Sequence, residues 1–450
     1  MTRNTARHVA AHPEPTTGPA HARTLRDHSV MRMIGLGVTA VLAFVSVGGA
    51  TAALRLTGNI AAVDADAVLG DDRPEKILPD DPNAGAPLNI LLLGSDSRGG
   101  DNADIVGDGT EGARSDTTMI MHISSDRKRV EMVSIPRDTT VDIPSCPTTK
   151  GTETSPMYGV KFNAAFSQGY SGGDDVESGA LCTMKSVETL TDVPLDGFLV
   201  IDFAGFEKMI DAVGGIELCI PNDIDAPKAD HLVLSAGVQD LDGETALKYA
   251  RARTGKGLGD GSDLGRIGRQ QELVASLSRE VLSAGMLTDP AKSLKFLNAV
   301  TSSMTMSSNF ASVQGLAGLA YSARNVRPGT IAFMTAPYAT DPNNSANVVF
   351  APEAAEVWQN LKHDRPVSDV IEEPEETKDE EGGDEADSSA TPVSDDDTDE
   401  STDESTDEST DQATDETEDE ADEKSEPEPT HTREAGKEAF TGADVTSVCG

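Results

Sequence analysis

Histidine, cysteine and aromatic side chains are scarce in this chain, and each scarcity removes a class of chemistry. Its 450 residues hold 8 His, 4 Cys and 4% aromatics. The histidines at 122, 231, 363 and 431 stand in no motif that would pair them with a serine nucleophile, and no serine is recognisable on a Gly-x-Ser-x-Gly elbow. A Gly-x-x-x-x-Gly-Lys-Ser/Thr run is absent, which argues against a P-loop nucleotide site. Cys146, Cys182, Cys219 and Cys449 match no zinc spacing and no Cys-x-x-Cys redox site, leaving structural bridges or buried free thiols. Net positive charge is missing as well. The formal charge is −42, so no general nucleic-acid surface is expected.

The acidity is unevenly spread. Residues 366–450 hold about 33 acidic and about 4 basic residues, roughly −29 of the total, in Asp/Glu/Ser/Thr repeats such as Ser401-Thr-Asp-Glu-Ser-Thr-Asp-Glu408. Such a segment buries too little apolar surface to offset its ordering entropy, so 367–450 reads as a disordered acidic low-complexity tail.

At the other end, residues 33–54 carry no charge and lie between Arg32 and Arg55, long enough for a membrane-spanning helix. Arginines dominate the preceding residues, so the positive-inside rule places 1–32 in the cytoplasm and everything after the span outside the cell membrane. A cleaved signal peptide is the alternative, and it exports the same part. Residues 55–86, rich in Asp, Pro, Ala and Gly, read as a linker. In an oxidising compartment Cys146 and Cys182, which flank Lys161-Phe-Asn163, are expected to form a disulfide, leaving Cys219 and Cys449 for each other.

Residues 87–366 carry the globular signal. Apolar runs of strand length occur at 88–94, 117–124, 130–135, 198–202, 216–220, 330–334 and 347–350. Helical patterns occupy 160–168, 175–190, 206–213, 242–253, 263–284, 290–306, 311–324 and 352–362. Interleaving of this kind indicates a single α/β domain with a central mixed β-sheet covered by helices.

Within this domain arginines concentrate in one place. Tyr249-Ala-Arg-Ala-Arg253 and Asp263-Leu-Gly-Arg-Ile-Gly-Arg-Gln270 bring Arg251, Arg253, Arg266 and Arg269 into one short segment. On a helix starting at Asp263, Arg266 and Gln270 continue the apolar stripe of Val274, Leu277 and Val281. A buried guanidinium in a first helical turn calls for an anion, or else for a structural carboxylate partner. Asp96 follows the first strand and Asp116 immediately precedes the second. Together they could hold a hard divalent cation, although either alone would suit a turn or a cap. Arg98, Arg114 and Arg137 lie at neighbouring strand ends, and Lys161 and Asn163 add a cation and an amide at a helix start. Carboxylates for a metal and dispersed guanidiniums for phosphate oxygens describe a pyrophosphate or phosphodiester site.

From about residue 88 to 366 the chain resembles the LytR-CpsA-Psr family. The resemblance is carried by Asn89-Ile-Leu-Leu-Leu-Gly-Ser-Asp-Ser-Arg98, Arg114-Ser-Asp-Thr117, Val133-Ser-Ile-Pro-Arg-Asp138, Lys161-Phe-Asn-Ala164, Asp202-Phe-Ala-Gly-Phe206 through Val213-Gly-Gly215, Leu241-Asp-Gly-Glu-Thr-Ala-Leu247 and the arginine segment. It implies a cell-wall phosphotransferase that moves a glycopolymer from an undecaprenyl pyrophosphate carrier to the muramic acid 6-hydroxyl of peptidoglycan. It further implies Mg²⁺ (or Mn²⁺) on Asp96 and Asp116, and a pyrophosphate-binding set of Arg98, Arg114, Arg137, Arg251, Arg253, Arg266 and Gln270. Asp263 would orient arginines, and the lipid tail would occupy an apolar pocket. A lipid-pyrophosphate hydrolase and a non-catalytic envelope-binding or regulatory protein are the alternatives.

Overall fold

The computed structural model describes residues 61–79, 85–96, 112–258, 263–311, 318, 325–367 and 439–444. The expected span 33–54, the helix at 311–324 apart from residues 311 and 318, Arg98 and Cys449 lie outside them. Among the described residues no helix is long and apolar enough to cross a membrane.

The apolar runs near 88, 117 and 130 become three adjacent antiparallel strands at the centre of the main sheet. Before them come a short strand β1 (Ala61–Val63) and helix α1 (Ala65–Leu69). The central strands are β2 (Leu88–Ser95), β3 (Ser115–Ile123) and β4 (Val130–Ser134). A hairpin β5 (Thr140–Ile143) and β6 (Met157–Lys161) follows, then α2 (Ala164–Gly173), α3 (Val176–Thr191), β7 (Gly197–Asp202) and α4 (Phe203–Val213). Next are β8 (Ile216–Ile220), β9 (Ile224–Ala226), β10 (Leu232–Leu234) and β11 (Gly237–Leu241), leading to α5 (Gly243–Arg251) and α6 (Asp263–Val281). Helices α7 (Ala284–Thr288) and α8 (Pro290–Ser303) run into β12 (Met304–Ser307). Strands β13 (Ile331–Thr335), β14 (Tyr338–Thr340) and β15 (Val348–Phe350), helix α9 (Ala354–Lys362) and β16 (Phe440–Thr441) complete the described chain.

The sheet order is β1-β12-β7-β2-β3-β4-β13-β16, with parallel and antiparallel pairs mixed, as the α/β pattern implies. Side chains alternate between its faces. Leu91, Leu93, Ile120 and Val133 pack with Phe166, Leu181, Met184 and Trp358 on one side. Met119, Ile123 and Met132 pack with Ile210, Leu218, Tyr249 and Leu273 on the other. The Cys146–Cys182 disulfide forms as expected and ties α3 to the segment after β5. Cys219 is disulfide-bonded as well, and its expected partner Cys449 is outside the described residues.

Four expectations need correction. The supposed linker 55–86 contains β1, which adds to the sheet edge against β12, and α1, whose Leu69 is buried. Val160 and Lys161 are strand, and the helix begins only at Ala164. Met304–Ser307 is strand, because these residues pair antiparallel with β7 once α8 ends. The tail read as disordered throughout 367–450 instead returns at 439–444, where Phe440 is buried on β13. In addition, the run Gly169-Tyr-Ser-Gly-Gly173 fits the Gly-x-Ser-x-Gly spelling but sits in the last turns of α2, not at a strand-to-helix elbow.

Candidate active site

Strand ends β2, β3 and β7 converge with the end of α5 and the start of α6. At Gly94 the β2–β3 register shifts, and a Cβ there would lie 3.0 Å from Thr117 Cβ. Glycine thus lets the two strands close up and keeps the space beside them open. Just beyond, Asp96 Oδ1 accepts from the Arg114 backbone N–H at 2.5 Å, and the Asp96 N–H donates to the Arg114 carbonyl at 3.0 Å. That exchange fixes Asp96 relative to the start of β3, where Asp116 lies.

Asp116 is the hub. Arg137 Nη1 donates to its Oδ1 at 2.9 Å and Arg253 Nη2 to its Oδ2 at 3.0 Å, while Arg266 Nη1 stands 3.7 Å from Oδ2. Burial pushes the Asp116 carboxyl up, but the guanidiniums of Arg266, Arg137 and Arg253 outweigh it and hold the group below its ordinary range. Asp263, the first residue of α6, faces Arg137 Nε at 2.8 Å and pairs with Arg266 Nη2. Here burial dominates and raises the carboxyl, despite Arg266 and Arg137. Burial likewise lowers Arg266, whose side chain is only 3% exposed.

Both shifts in the Asp263–Arg266 pair therefore mark a buried ion pair whose desolvation is not fully compensated. The 2.8 Å contact of Arg137 with Asp263 is ionic in distance but lacks hydrogen-bond alignment, and Arg266 Nε and Gln270 Oε1 are buried with no hydrogen-bond partner among the described residues. Unsatisfied groups of this kind suit a site awaiting an anion with its counterion or waters.

Two cavities meet at this cluster. A polar one of about 290 Å³ is lined by Asp96, Asp116, Arg251, Arg253, Arg266 and Gln270, among others. An apolar one of about 190 Å³ is walled by Leu92, Met119, Phe206, Leu273, Val274 and Leu277. Gly94, Thr117, Phe203, Ala250, Arg251 and Gln270 border both. The stripe read along α6 faces as expected: Arg266 and Gln270 at the polar end, Val274 and Leu277 at the apolar end. Arg251 spans the junction, its guanidinium carbon 4.7 Å from the centre of the Phe203 ring. Phe203 opens α4, whose N-terminus Asp202 caps by accepting from Gly205 N–H.

The remaining expected residues divide. Lys161 donates to Asp138 at 2.8 Å, and the Asn163 N–H donates to the Arg137 carbonyl at 3.1 Å, so both support the Arg137 segment rather than line the cavity. Arg114 is exposed and outside the lining. Arg269, expected among the binding residues, turns away: it is 7% exposed, gives its guanidinium to the carbonyls of Ala252 and Leu258, and lies 5.9 Å from the Tyr249 ring centre. Its task is to hold the chain that carries Arg253. Sequence reasoning missed Phe203, Asp138 and Gln271. The last is wholly buried and donates to Ser134 Oγ at 2.8 Å and the Met334 carbonyl at 2.9 Å, fixing α6 to β4 and β13. An amide adjacent to Gln270 was the only signal for it.

The donor set fits a magnesium-like ion. Among the described residues no group of three or more metal-type side chains occurs. Two carboxylates, Asp96 and Asp116, border one polar cavity, and Mg²⁺ typically takes one or two carboxylates and fills its octahedron with water and phosphate oxygens.

The family model described as LytR_cpsA_psr matches residues 53–364. The chain belongs to the LytR-CpsA-Psr family. The cell wall biosynthesis protein LcpA of Corynebacterium glutamicum is 29% identical over 343 residues, covering 72% of this chain and 63% of that protein. The polyisoprenyl-teichoic acid–peptidoglycan teichoic acid transferase TagV of Bacillus subtilis is 33% identical over 202 residues, 44% of either chain. The chain thus spans between 44% and 63% of the length of these two relatives. The crystal structure of B. subtilis TagV aligns with 63% of this chain and 97% of its own, at 27% identity and a TM-score of 0.45.

Proposed function

We propose that the protein is a phosphotransferase that moves a glycopolymer from a polyprenyl pyrophosphate carrier, undecaprenyl pyrophosphate, to the muramic acid 6-hydroxyl of peptidoglycan. The observation that carries this reading is the junction of a guanidinium-lined polar cavity with an apolar one. That shape fits an amphiphile with a highly charged head and a hydrocarbon tail, and it suits a lipid pyrophosphate better than a soluble nucleotide or sugar phosphate. The name of TagV, a transferase acting between polyisoprenyl-teichoic acid and peptidoglycan, supports the same reading.

In this mechanism Arg251, Arg253 and Arg266 hold the pyrophosphate oxygens, and Leu273, Val274 and Leu277 sheath the first isoprene units. The acceptor hydroxyl oxygen bonds to the phosphorus that carries the glycopolymer. The bond from that phosphorus to the bridging oxygen breaks, lipid monophosphate leaves with the electron pair, and the hydroxyl proton passes to water or a cavity carboxylate. Arg137 and Asp263 keep the arginines aligned, so that charge growing on the leaving phosphate meets prepositioned donors. Asp116, held as a carboxylate by three guanidiniums, is an anchor and a poor base. Asp96 and Asp116 would hold Mg²⁺ (or Mn²⁺), which when bound supplies Lewis-acid stabilisation of phosphoryl oxygens. The protein is taken to be anchored by one membrane span with its N-terminus cytoplasmic and this domain outside. The Cys146–Cys182 disulfide agrees with an oxidising compartment.

The test is turnover of polyprenyl pyrophosphate oligosaccharide by the full chain, with and without peptidoglycan oligomers and with and without chelator. Acceptor-dependent phosphodiester formation, lost on chelation, is expected. Release of sugar phosphate regardless of acceptor would mean a hydrolase, and binding without turnover would mean a non-catalytic role.

A further inference from the structure

The family match ends at residue 364, yet the sheet continues with residues beyond it. Strand β16 pairs antiparallel with β13, Thr441 opposite Ala332 and Phe440 opposite Phe333. The Gly442 N–H donates to the Ile331 carbonyl at 2.9 Å. Phe440 is 7% exposed and stacks on Phe333 with ring centres 5.0 Å apart. The Asp444 carboxylate closes the turn, accepting from the Thr441 N–H at 3.0 Å and from its hydroxyl at 2.7 Å. A Cβ on Gly442 would sit 2.8 Å from the Pro328 carbonyl oxygen, so the backbone approach itself demands glycine. An aromatic anchor, a ladder bond and a closed turn make this a specific docking contact.

Its other side leads to the site. Strand β13 lies between β16 and β4, and its Met334 carbonyl and Thr335 hydroxyl accept from Gln271 at 2.9 and 3.3 Å. Gln271 neighbours Gln270 and lies just over one turn from Arg266. Phe333, beneath the Phe440 ring, is fully buried in the same cluster as Leu273, Tyr249 and Ala250. The position of α6 against the sheet is therefore set through β13, whose outer edge the C-terminal strand holds.

We propose that residues 439–444 form a clasp that positions α6 for phosphate binding, with Phe440 as a positioning residue, and that Cys449 latches the clasp to Cys219. The latch follows from the cysteine count: of four, Cys146 and Cys182 bond to each other and Cys219 is disulfide-bonded. The link to catalysis rests on the reading of the α6 arginines given above.

The experiment compares the full chain, its Phe440→Ala and Phe440→Leu variants, and a chain ending at residue 367. Hydrogen exchange of residues 263–281 and steady-state turnover are measured with and without a synthetic peptide of residues 436–448. Truncation and Phe440→Ala are expected to speed exchange in 263–281 and to lower kcat about tenfold, the size of effect a sub-ångström misplacement of catalytic groups produces, with KM changing less. Phe440→Leu should retain most of the activity, and the peptide should restore the truncated chain while its Phe440→Ala form should not. Unchanged exchange and turnover in Phe440→Ala, or equal rescue by both peptides, would overturn the clasp. If no form turns over lipid pyrophosphate, the functional reading fails, while exchange and peptide binding still decide whether the strand holds α6. Peptide mapping without reduction should find Cys219 linked to Cys449, and any other link overturns the latch.

Discussion

Arg266 is the side chain on which the site turns. It is almost wholly buried, ion-paired to Asp263, near Asp116, and its Nε has no hydrogen-bond partner among the described residues. Lysine would keep the charge but lose the planar fork that can serve a carboxylate and a phosphate together. Arg266→Lys should therefore lose roughly 10²-fold in kcat/KM, nearly as much as Arg266→Ala, by analogy with removal of one preorganised donor. Thermal stability should fall as well, because removing or misplacing one partner of a buried ion pair leaves the Asp263 carboxylate poorly compensated. Steady-state kinetics beside a melting curve checks this; normal kinetics with a collapsed melting temperature would make Arg266 a structural ion-pair residue.

At this scale much of the site was legible, and the errors have a geometric cause. Arg266 and Gln270 lie about 40° apart on a helical wheel, so reading them as one face succeeded. Arg269 lies about 60° away on the other side of Arg266, enough to aim it at the carbonyls of Ala252 and Leu258 instead of the cavity. Asp116 was identified from its place at a strand start. That three guanidiniums converge on it depends on β3, the segment after β4, the end of α5 and α6 meeting in space, which no local pattern encodes.

Among the elements, strands with continuous apolar runs ended by Gly or Pro, such as β2 and β4, were readable. Strand β12 was not: Met304-Thr-Met-Ser307 follows α8 with no breaker, and pairing with β7 and β1 makes it extended. The far end of the central strands carries a polar network that pattern alone did not reveal. His122, 0% exposed, joins Asn89 at 2.7 Å and Asp364 at 3.0 Å, and Arg129 bridges Asp364 and Glu131. Burial pushes the Asp364 carboxyl up, but hydrogen bonds from His122 and Ser125 outweigh it and hold the group far below the usual carboxylate range.

The sign follows from that depression. A carboxyl with a lowered folded pKa contributes its full stability above the unfolded value of about 3.9 and loses it as pH falls towards the folded one. Asp364→Asn keeps a residue suited to the left-handed φ of 54° but removes the charge that Arg129 faces. It should cost about 1–3 kcal/mol at pH 7, a gap that narrows below about pH 4. Glu131 works in the opposite direction, raised by burial, but it is common to both proteins and leaves the difference to Asp364. Urea unfolding at pH 3 and pH 7 measures it, and a gap independent of pH would assign the loss to packing.

For the whole molecule, charge is divided by region. About −29 of the −42 lies in residues 366–450, while the cavity that would receive an anion gathers arginines from the end of α5, the residues just after it and α6. A chain with residues 370–435 deleted but the C-terminal strand retained should keep turnover within about twofold at 0.15 M salt, since exposed charges beyond a Debye length of about 8 Å are screened. Its melting temperature should be unchanged. A fall in either would mean that the acidic segment contributes to the fold or to substrate capture. The repeats of this region lie outside the described residues, and length and composition marked it as unable to form a core. They also hid the one aromatic residue within it, Phe440, that does enter the core.

The six residues shared by the polar and apolar cavities bear on how a catalytic cycle ends. The leaving product, a lipid phosphate, would retain both halves of the grip that held the substrate: its chain against Leu273 and Val274, its head against Arg251 and Arg266. Only the transferred polymer departs with its new bond. Escape of the spent carrier should then set the pace, so the first turnover would appear as a burst equal to the enzyme present, and added polyprenyl phosphate would compete with fresh substrate. A linear progress curve from the first seconds would place the slow step in the chemistry instead.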